Sequence, residues 1–450
     1  MSSQQKSAWA LLILFGINTM NFYDRQILGA VAELVRKEWT LSDTMLGTLG
    51  TAFILMYAVV GIPLGRLADT WSRKEILGFG VTLWSLLTAA SGLAPNFSWL
   101  FASRLAVGIG EASCAPAANS LIGDLYPTRH RAMALSIFML GLPIGLFLSY
   151  RLSGMIAHAY GWREAFYFAC IPGLILGYLA FTLPDPLRGA TEEHVSAATH
   201  RAGSPYWVVL GIPTILWIII SGALHNFNMY AVNAFLPAFL MRTHLMSVKE
   251  ATNVSSIVLG AVGIIGLLGG GWAADRLSRK RADGKLLISC ITMALAVPCV
   301  YFALQQPPGS TSTFMLLMGM GSMFIFVYYS CVYATIQDVI EPALRGTAMA
   351  LYFFAMYLLG ASLGPVVTGL LSDHFAKQAM AAAASTVMTE QFKAEGLHSA
   401  MYIIPALCAV LAVVLFIASR TVSKDIEKLK KWQREQVQVE PEIIPPFISS

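Results

Sequence analysis

Residues 65–74 read GRLADTWSRK, and residues 271–280 read GWAADRLSRK. Gly, Ala-Asp and Ser-Arg-Lys return at the same spacing in both stretches. Each copy follows one long apolar run and precedes another. A looser echo pairs residues 124–133, DLYPTRHRAM, with residues 338–349, DVIEPALRGTAM. The first pair falls after the second and eighth apolar runs, the second pair after the fourth and tenth. A chain that repeats its loop chemistry at matching places in two halves is a duplicated helical bundle. Such duplications are a transporter architecture, with the substrate site near the midplane between the halves.

The composition around these loops fits that layout. The 450 residues are 56% hydrophobic and 12% charged, with a mean hydropathy of +0.63. Ordinary soluble domains carry about 25% charge. Twelve apolar spans are predicted, near 8–31, 45–68, 75–94, 98–124, 131–156, 163–183, 206–230, 251–274, 284–303, 311–338, 344–372 and 398–420. Each has roughly the 20 residues that cross about 30 Å of hydrocarbon. The expected fold is therefore an all-α membrane protein of two pseudo-symmetric six-helix bundles. Residues 1–183 form the first bundle and 206–420 the second, joined by a cytoplasmic linker over 184–205. Residues 421–450 form a tail, whose RTVSKDIEKLKK stretch (420–431) is expected to lie as a basic helix along the inner leaflet or as a solvated tail. The alanine-rich loop over 373–397 is expected outside, with a short helix. With both termini cytoplasmic, 20 of the 30 lysines and arginines fall inside and 7 outside. That bias sets the orientation.

The motif G-x-L-A-D-x-x-x-R-K between the second and third spans resembles the signature loop of the major facilitator superfamily. Its echo in the second half and Arg104-x3-Gly108-x-Gly110 in the fourth span resemble it too. Within that superfamily, Asn21-x-x-Asp24-Arg25 with Arg104, Gly108, Gly110 and Glu111 is similar to the Spinster branch. The resemblance implies a transporter of lysophospholipids or sphingosine phosphate, coupled to protons. It implies that Asp24 and Glu111 serve coupling, and that Arg25 serves coupling or holds a head group. Without organelle signals or long glycosylated loops, a bacterial inner-membrane protein is expected.

The residues themselves point the same way. A charge at the centre of a membrane helix costs roughly 2.5–3.5 kcal/mol on the insertion scale. Asn18, Asn21 and Arg25 share one face of the first span, with Asp24 at its edge. Arg104, Gly108 and Glu111 share a face of the fourth. By helical rise, Asp24 and Arg104 stand near one level, with Glu111 two to three turns deeper. Asp24–Arg104 and Glu111–Arg25 are either permanent ion pairs or proton-carrying groups. In the second case Arg25 and Arg104 act as switches. Burial disfavours the ionised carboxyl and an arginine favours it, so a moving helix can switch the charge.

The second half lacks such charges. His225, Asn226, Tyr230 and Asn233 lie in the seventh span, Tyr329 and Tyr333 in the tenth, and Tyr357 in the eleventh. Together with Arg25, Asn21, Asn18 and Asn119 of the first half, they are the expected substrate-contacting residues. An aromatic, amide-bearing wall opposite a charged one suits an amphipathic anionic or zwitterionic substrate. The alternative is a proton-coupled carrier of small organic anions such as sugar acids, or a multidrug exporter. At the cytoplasmic loops, Asp69, Arg73, Asp124 and Arg131, with Asp275, Arg279, Asp338 and Arg345 as counterparts, read as exposed pairs that latch the inner ends. Each such pair is worth at most about 1 kcal/mol.

Small residues recur every four positions in the fifth span (Gly141, Gly145, Ser149, Ser153) and punctuate the eleventh (Gly360, Gly364, Gly369). Both stripes permit close helix approach. Arg151 interrupts the fifth span. It is expected either to snorkel to the interface or to sit in the outer mouth. No ATPase loop, CxxC pair or metal-ligand spacing is present in the sequence. Gly360-x-Ser362-x-Gly364 matches the hydrolase G-x-S-x-G pattern, but lies in a membrane helix without the strand that pattern needs. The expectation is a non-enzyme without cofactor or metal, working on an ion gradient. Its partners would be membrane lipids, protons and a small amphipathic substrate. Nucleic acid is not expected, and the protein should be a monomer.

Overall fold

The computed structural model describes residues 3–187, 205–341 and 344–439. Its first half contains α1 (Ser3–Trp39), α2 (Asp43–Thr70), α3 (Arg73–Gly92), α4 (Phe97–Glu111) and α5 (Cys114–Leu125). It continues through α6 (Thr128–Met139), α7 (Gly141–Leu148), α8 (Gly154–Tyr160) and α9 (Trp162–Ala180). The short α10 (Pro205–Leu210) leads into the second half. There follow α11 (Pro213–Thr243), α12 (Val248–Ser255), α13 (Val262–Ser278), α14 (Gly284–Leu304) and α15 (Thr311–Val339). The last elements are α16 (Arg345–Ala355), α17 (Leu363–Ala382), α18 (Glu390–Met401) and α19 (Ile403–Val439).

Among the described residues, nine helical stretches are long and apolar enough to cross a membrane. Those covering α6–α8, α12–α13 and α16–α17 are single spans, each interrupted by a π-helical turn, at Ser149–Ser153, Ser256–Ala261 and Met356–Ala361. The charged α1, the broken α4–α5 pair and α9 occupy the places of the other three spans read from the sequence. The first span is longer than predicted, reaching Trp39 and so carrying Glu33 and Arg36 inside the helix. The loop predicted over 373–397 is mostly helical, because α17 runs on to Ala382 and α18 begins at Glu390.

The basic tail is not a separate surface helix. Residues 420–431 continue α19 without a break. Asp425 anchors them by accepting bonds from the backbone N–H and hydroxyl of Thr214, at 3.0 and 2.7 Å. Thr214 stands in the first turn of α11, where unpaired N–H groups attract a carboxylate. The part of the predicted linker over 188–204 lies outside the described residues.

The two halves meet mainly at one end, the end that carries Arg36. There a Cβ at Gly29 would lie 2.6 Å from the carbonyl oxygen of Asn233. Cβ atoms at Gly47 and Gly369 would overlap the backbones of Pro365 and Asp43. The small-residue stripe of the fifth span packs on α1: Ser149 bonds the Tyr23 carbonyl at 2.7 Å, and Ser153 the Tyr23 hydroxyl at 3.2 Å. Toward the other end, which carries Arg73, the halves part. Gly61 and Gly65 on α2, Gly123 on α5 and Gly346 on α16 all face open space. The molecule is closed at the Arg36 end and open at the Arg73 end.

Candidate functional site

The polar side chains of α1 divide between two neighbourhoods. Asn21 and Arg25 turn toward Glu111, the last residue of α4. The Arg25 Nε bonds Glu111 Oε2 at 2.9 Å, and the Asn21 amide donates to the same oxygen at 3.0 Å. Both partners of the ion pair are buried. The Arg25 guanidinium also lies 4.2 Å from the ring of Tyr57 and 5.4 Å from that of Phe53, both on α2. The Arg104 guanidinium stands 5.2 Å from the same Phe53 ring. Aromatic faces attract cations, more so when water is excluded. Phe53 and Tyr57, spaced i, i+4, are site residues that the sequence reading missed.

Asp24 is placed differently. It is fully buried, and neither carboxylate oxygen has a hydrogen-bond partner. Trp84 and Thr88 of α3 are turned toward it, with their own donors unpaired. The Asp24–Arg104 ion pair that one of the two readings allowed is absent: Arg104 instead reaches the backbone oxygen of Asp24, at 3.5 Å. The reason is the helical step of about 100° between Asp24 and Arg25. With Arg25 turned toward Glu111, Asp24 faces α3.

The remaining predicted contact residues scatter in environment. Tyr230 and Tyr357 of the second half approach Arg25, and the Tyr357 ring packs edge-on against Tyr57 at 5.2 Å. Arg25, Arg104, Tyr230 and Asn233 line a cavity of about 50 Å³ between the halves. His225 is buried, stacked 3.9 Å from Tyr328 and edge-on to Tyr329, and neither ring nitrogen has a partner. Tyr329 leads on to Tyr333 at 5.7 Å. Asn226 bonds its own helix at the Gly222 carbonyl, 3.1 Å away. Asn18 is committed to the Phe138 carbonyl at 2.7 Å, and exposed Asn119 to that of Ala115 at 2.8 Å.

At the Arg73 end, Arg73 is buried rather than exposed, and it bonds Asp124 and Asp185. Asp185 was not foreseen, since it follows α9 in a stretch without pattern. Arg73 and Asp124 belong to the first half, and Asp185 to the start of the segment that follows it. Burial opposes ionisation of Asp185, but bonds from Arg73 and Ser72 outweigh it and hold its carboxyl below the usual range. In the second half Asp338 pairs with Lys285 at 2.6 Å, while Arg345 bonds the Gln337 carbonyl. Arg131 is partly buried on α6, and Arg279 follows α13. The Asp275 carbonyl accepts from Ser278. Asp69 stands in the last turn of α2.

The Arg36 end holds a charge network that the sequence reading had assigned in part to loops. Arg242 of α11 bonds Asp43 twice, at 2.8 and 2.7 Å, and Glu33 at 2.8 Å. Arg36 bonds Glu33 at 2.7 Å and also Glu390 of α18. Arg36 and Arg242 are both buried. Asp373 accepts the N–H groups of Asp43 and Thr44, closing α17 onto the start of α2. The network spans α1, α2, α11, α17 and α18, and so ties the two halves together.

Two bundles packed at one end, parted at the other, with buried charge between them, define a multi-pass membrane transporter. The Major Facilitator Superfamily model matches residues 14–365, and the chain belongs to that family. Human protein spinster homolog 3 is 28% identical over 393 residues, covering 81% of this chain and 75% of that protein. An MFS-type efflux pump of Mycolicibacterium smegmatis is 28% identical over 424 residues, 94% of this chain and 95% of the pump. The crystal structure of a bacterial homologue of the human lysosomal transporter Spinster, inward-facing and unoccupied, matches with a TM-score of 0.82. It is 27% identical and covers 93% of this chain and 98% of its own.

Proposed function

We propose that this transporter of Spinster type couples proton movement to the passage of an amphipathic anionic or zwitterionic substrate, such as a lysolipid. The observation that carries the reading is the Arg25–Glu111 pair, buried in the first half and facing Tyr57, Tyr230 and Tyr357. A guanidinium framed by aromatics offers an anionic head group a charge partner, and the tyrosines offer its chain an apolar wall. Protonation of Glu111 would free Arg25 for the head group; return of the carboxylate would compete the head group off. Asp24 sits about 100° round α1 from Arg25, where its charge depends on the distance to Arg104. Rocking α1 against α4 changes that distance, and with it the balance between burial and attraction.

The positive-inside bias puts the Arg73 end in the cytoplasm and the Arg36 end outside. In that orientation the structure is closed outward and open inward, and alternating access requires the Arg242–Asp43 network to break. The efflux-pump relative leaves drug export as the second reading, with the same charge pair used for a different cargo.

The test is transport in liposomes carrying a pH-sensitive dye, offered lysolipids, sugar acids and cationic drugs in turn. The expected result is lysolipid-dependent proton movement that Glu111→Gln and Asp24→Asn each abolish. Undiminished proton movement in both variants would overturn the coupling, and movement with drugs alone would overturn the substrate class.

A further inference from the structure

Arg151 has no role in the site between the halves, yet it occupies an unusual place. It lies in the π-helical turn Ser149–Ser153 that joins α7 to α8, and its side chain is exposed. Such turns insert an extra residue into a helix and recur at functional positions. Across the seam stands α12 of the second half. One turn beyond Arg151, Gly154 meets Thr252 of α12 so closely that any Cβ there would overlap the threonine hydroxyl.

Beside this tight contact is a cavity of about 300 Å³. Arg151 and Met155 line it from the first half, and Ser247, Lys249, Glu250 and Asn253 from the second. Neither the Arg151 guanidinium nor the Lys249 ammonium makes a hydrogen bond or ion pair among the described residues. Glu250 is already engaged, accepting from the Ser247 backbone and hydroxyl at 2.9 and 2.7 Å. The buried Asn253 Oδ1 has no partner. The cavity thus offers two free cations, one from each half, with a carboxylate held aside.

Its level fits a membrane interface. Arg151 is nine residues before Tyr160, the end of its helix, or about 14 Å by helical rise. Lys249 stands in the first turn of α12. Met155, 43% exposed, gives the cavity an apolar lip. A water-borne anion needs no such lip, whereas a lipid brings its glycerol and acyl carbons to one.

We propose that this cavity binds the phosphate-bearing headgroup of a membrane phospholipid, clamped between Arg151 and Lys249. Because the two cations belong to different halves, the bound headgroup bridges the seam between α8 and α12. It favours the conformation in which that seam is shut, and it must leave or shift when the Arg36 end opens.

Native mass spectrometry of the full-length protein, titrated with phosphatidylglycerol, phosphatidylethanolamine or inorganic phosphate, tests this. Arg151→Gln and Lys249→Gln should each weaken phospholipid retention about fivefold, the worth of one cation near a charged headgroup. Arg151→Lys should keep most of it, which separates lost charge from lost folding. Lys377→Gln, a change to another exposed lysine in α17, should leave retention unchanged. Equal retention by the parent and both glutamine variants would overturn the proposal. So would loss of the same size in Lys377→Gln, or saturation of the site by inorganic phosphate with no preference for lipid. The readout is binding, so the result does not depend on which substrate the protein transports.

Discussion

Arg242 and Asp43 face each other across the two halves with paired bonds, Nη1 to Oδ2 at 2.8 Å and Nη2 to Oδ1 at 2.7 Å. The two residues are 199 positions apart, and both are buried. Glu33 accepts the remaining Arg242 Nε, and the Ser372 hydroxyl donates to Asp43 at 2.6 Å. No pair of bonds elsewhere among the described residues ties α11 to α1 and α2 through a single side chain. Whatever opens the Arg36 end must separate these groups or solvate them.

Removing one partner should therefore be costly for this conformation and favour its opposite. Arg242→Ala leaves Asp43 a buried carboxylate without its cation, while Glu33 keeps Arg36 at 2.7 Å; breaking a buried pair costs about 3–5 kcal/mol. Water entering through an opened seam relieves that cost, so the population should move toward a state open at the Arg36 end. Distances between spin labels on α2 and α17 at that end should lengthen in Arg242→Ala. An unchanged distance distribution would show that apolar packing alone holds the end shut.

The small residues at the same seam make a second, charge-free test. Gly47 meets the Pro365 backbone with no room for a Cβ, while Gly61, four turns along α2, faces open space. Gly47→Ala should cost about 1–3 kcal/mol of the closed packing, as overfilling does. Gly61→Ala should be neutral or stabilising by up to about 1 kcal/mol, because alanine favours helix. Thermal unfolding of the two variants in detergent should separate them in that order. The comparison holds helix propensity constant, since both positions lie in one helix.

These relationships mark what the sequence could and could not disclose. The loop repeat and the span lengths are local signals, and they define the fold. Helical spacing puts Asn21 and Arg25 on one face of α1 and Glu111 on a face of α4, and the cost of burying these charges points to their pairing. Asp24 was not placed correctly, because spacing says which residues share a face and not which neighbour that face meets. Arg36 and Arg242 fall outside the predicted spans because the ends of α1 and α11 lie beyond the apolar stretches; burial there is imposed by the opposing half. Phe53 and Tyr57 look like any aromatic pair in an apolar helix until Arg25 is set beside them. Asp185 carries no local signal, since its role depends on Arg73 lying more than a hundred residues earlier.

Asp185 also gives a pH dependence whose sign is fixed by the structure. Its carboxyl is held below the usual aspartate range because the bonds from Arg73 and Ser72 outweigh burial. A group whose folded pKa is depressed adds stability that is fully present above its unfolded pKa, about 3.9 for aspartate. That stability is lost as the pH falls through the lower folded value. Between neutral pH and roughly 5, well above the unfolded aspartate pKa, this contribution should be flat. Below about 4 the parent protein should lose thermal stability as protons reach Asp185. Asp185→Asn should be less stable than the parent at neutral pH, and the gap should narrow as acid removes the advantage of the carboxylate. Unfolding temperatures measured for both proteins from pH 7 down to the acid limit check this. A gap that stays constant across the range would mean that Asp185 acts through packing, with its charge contributing nothing to the Arg73 contact.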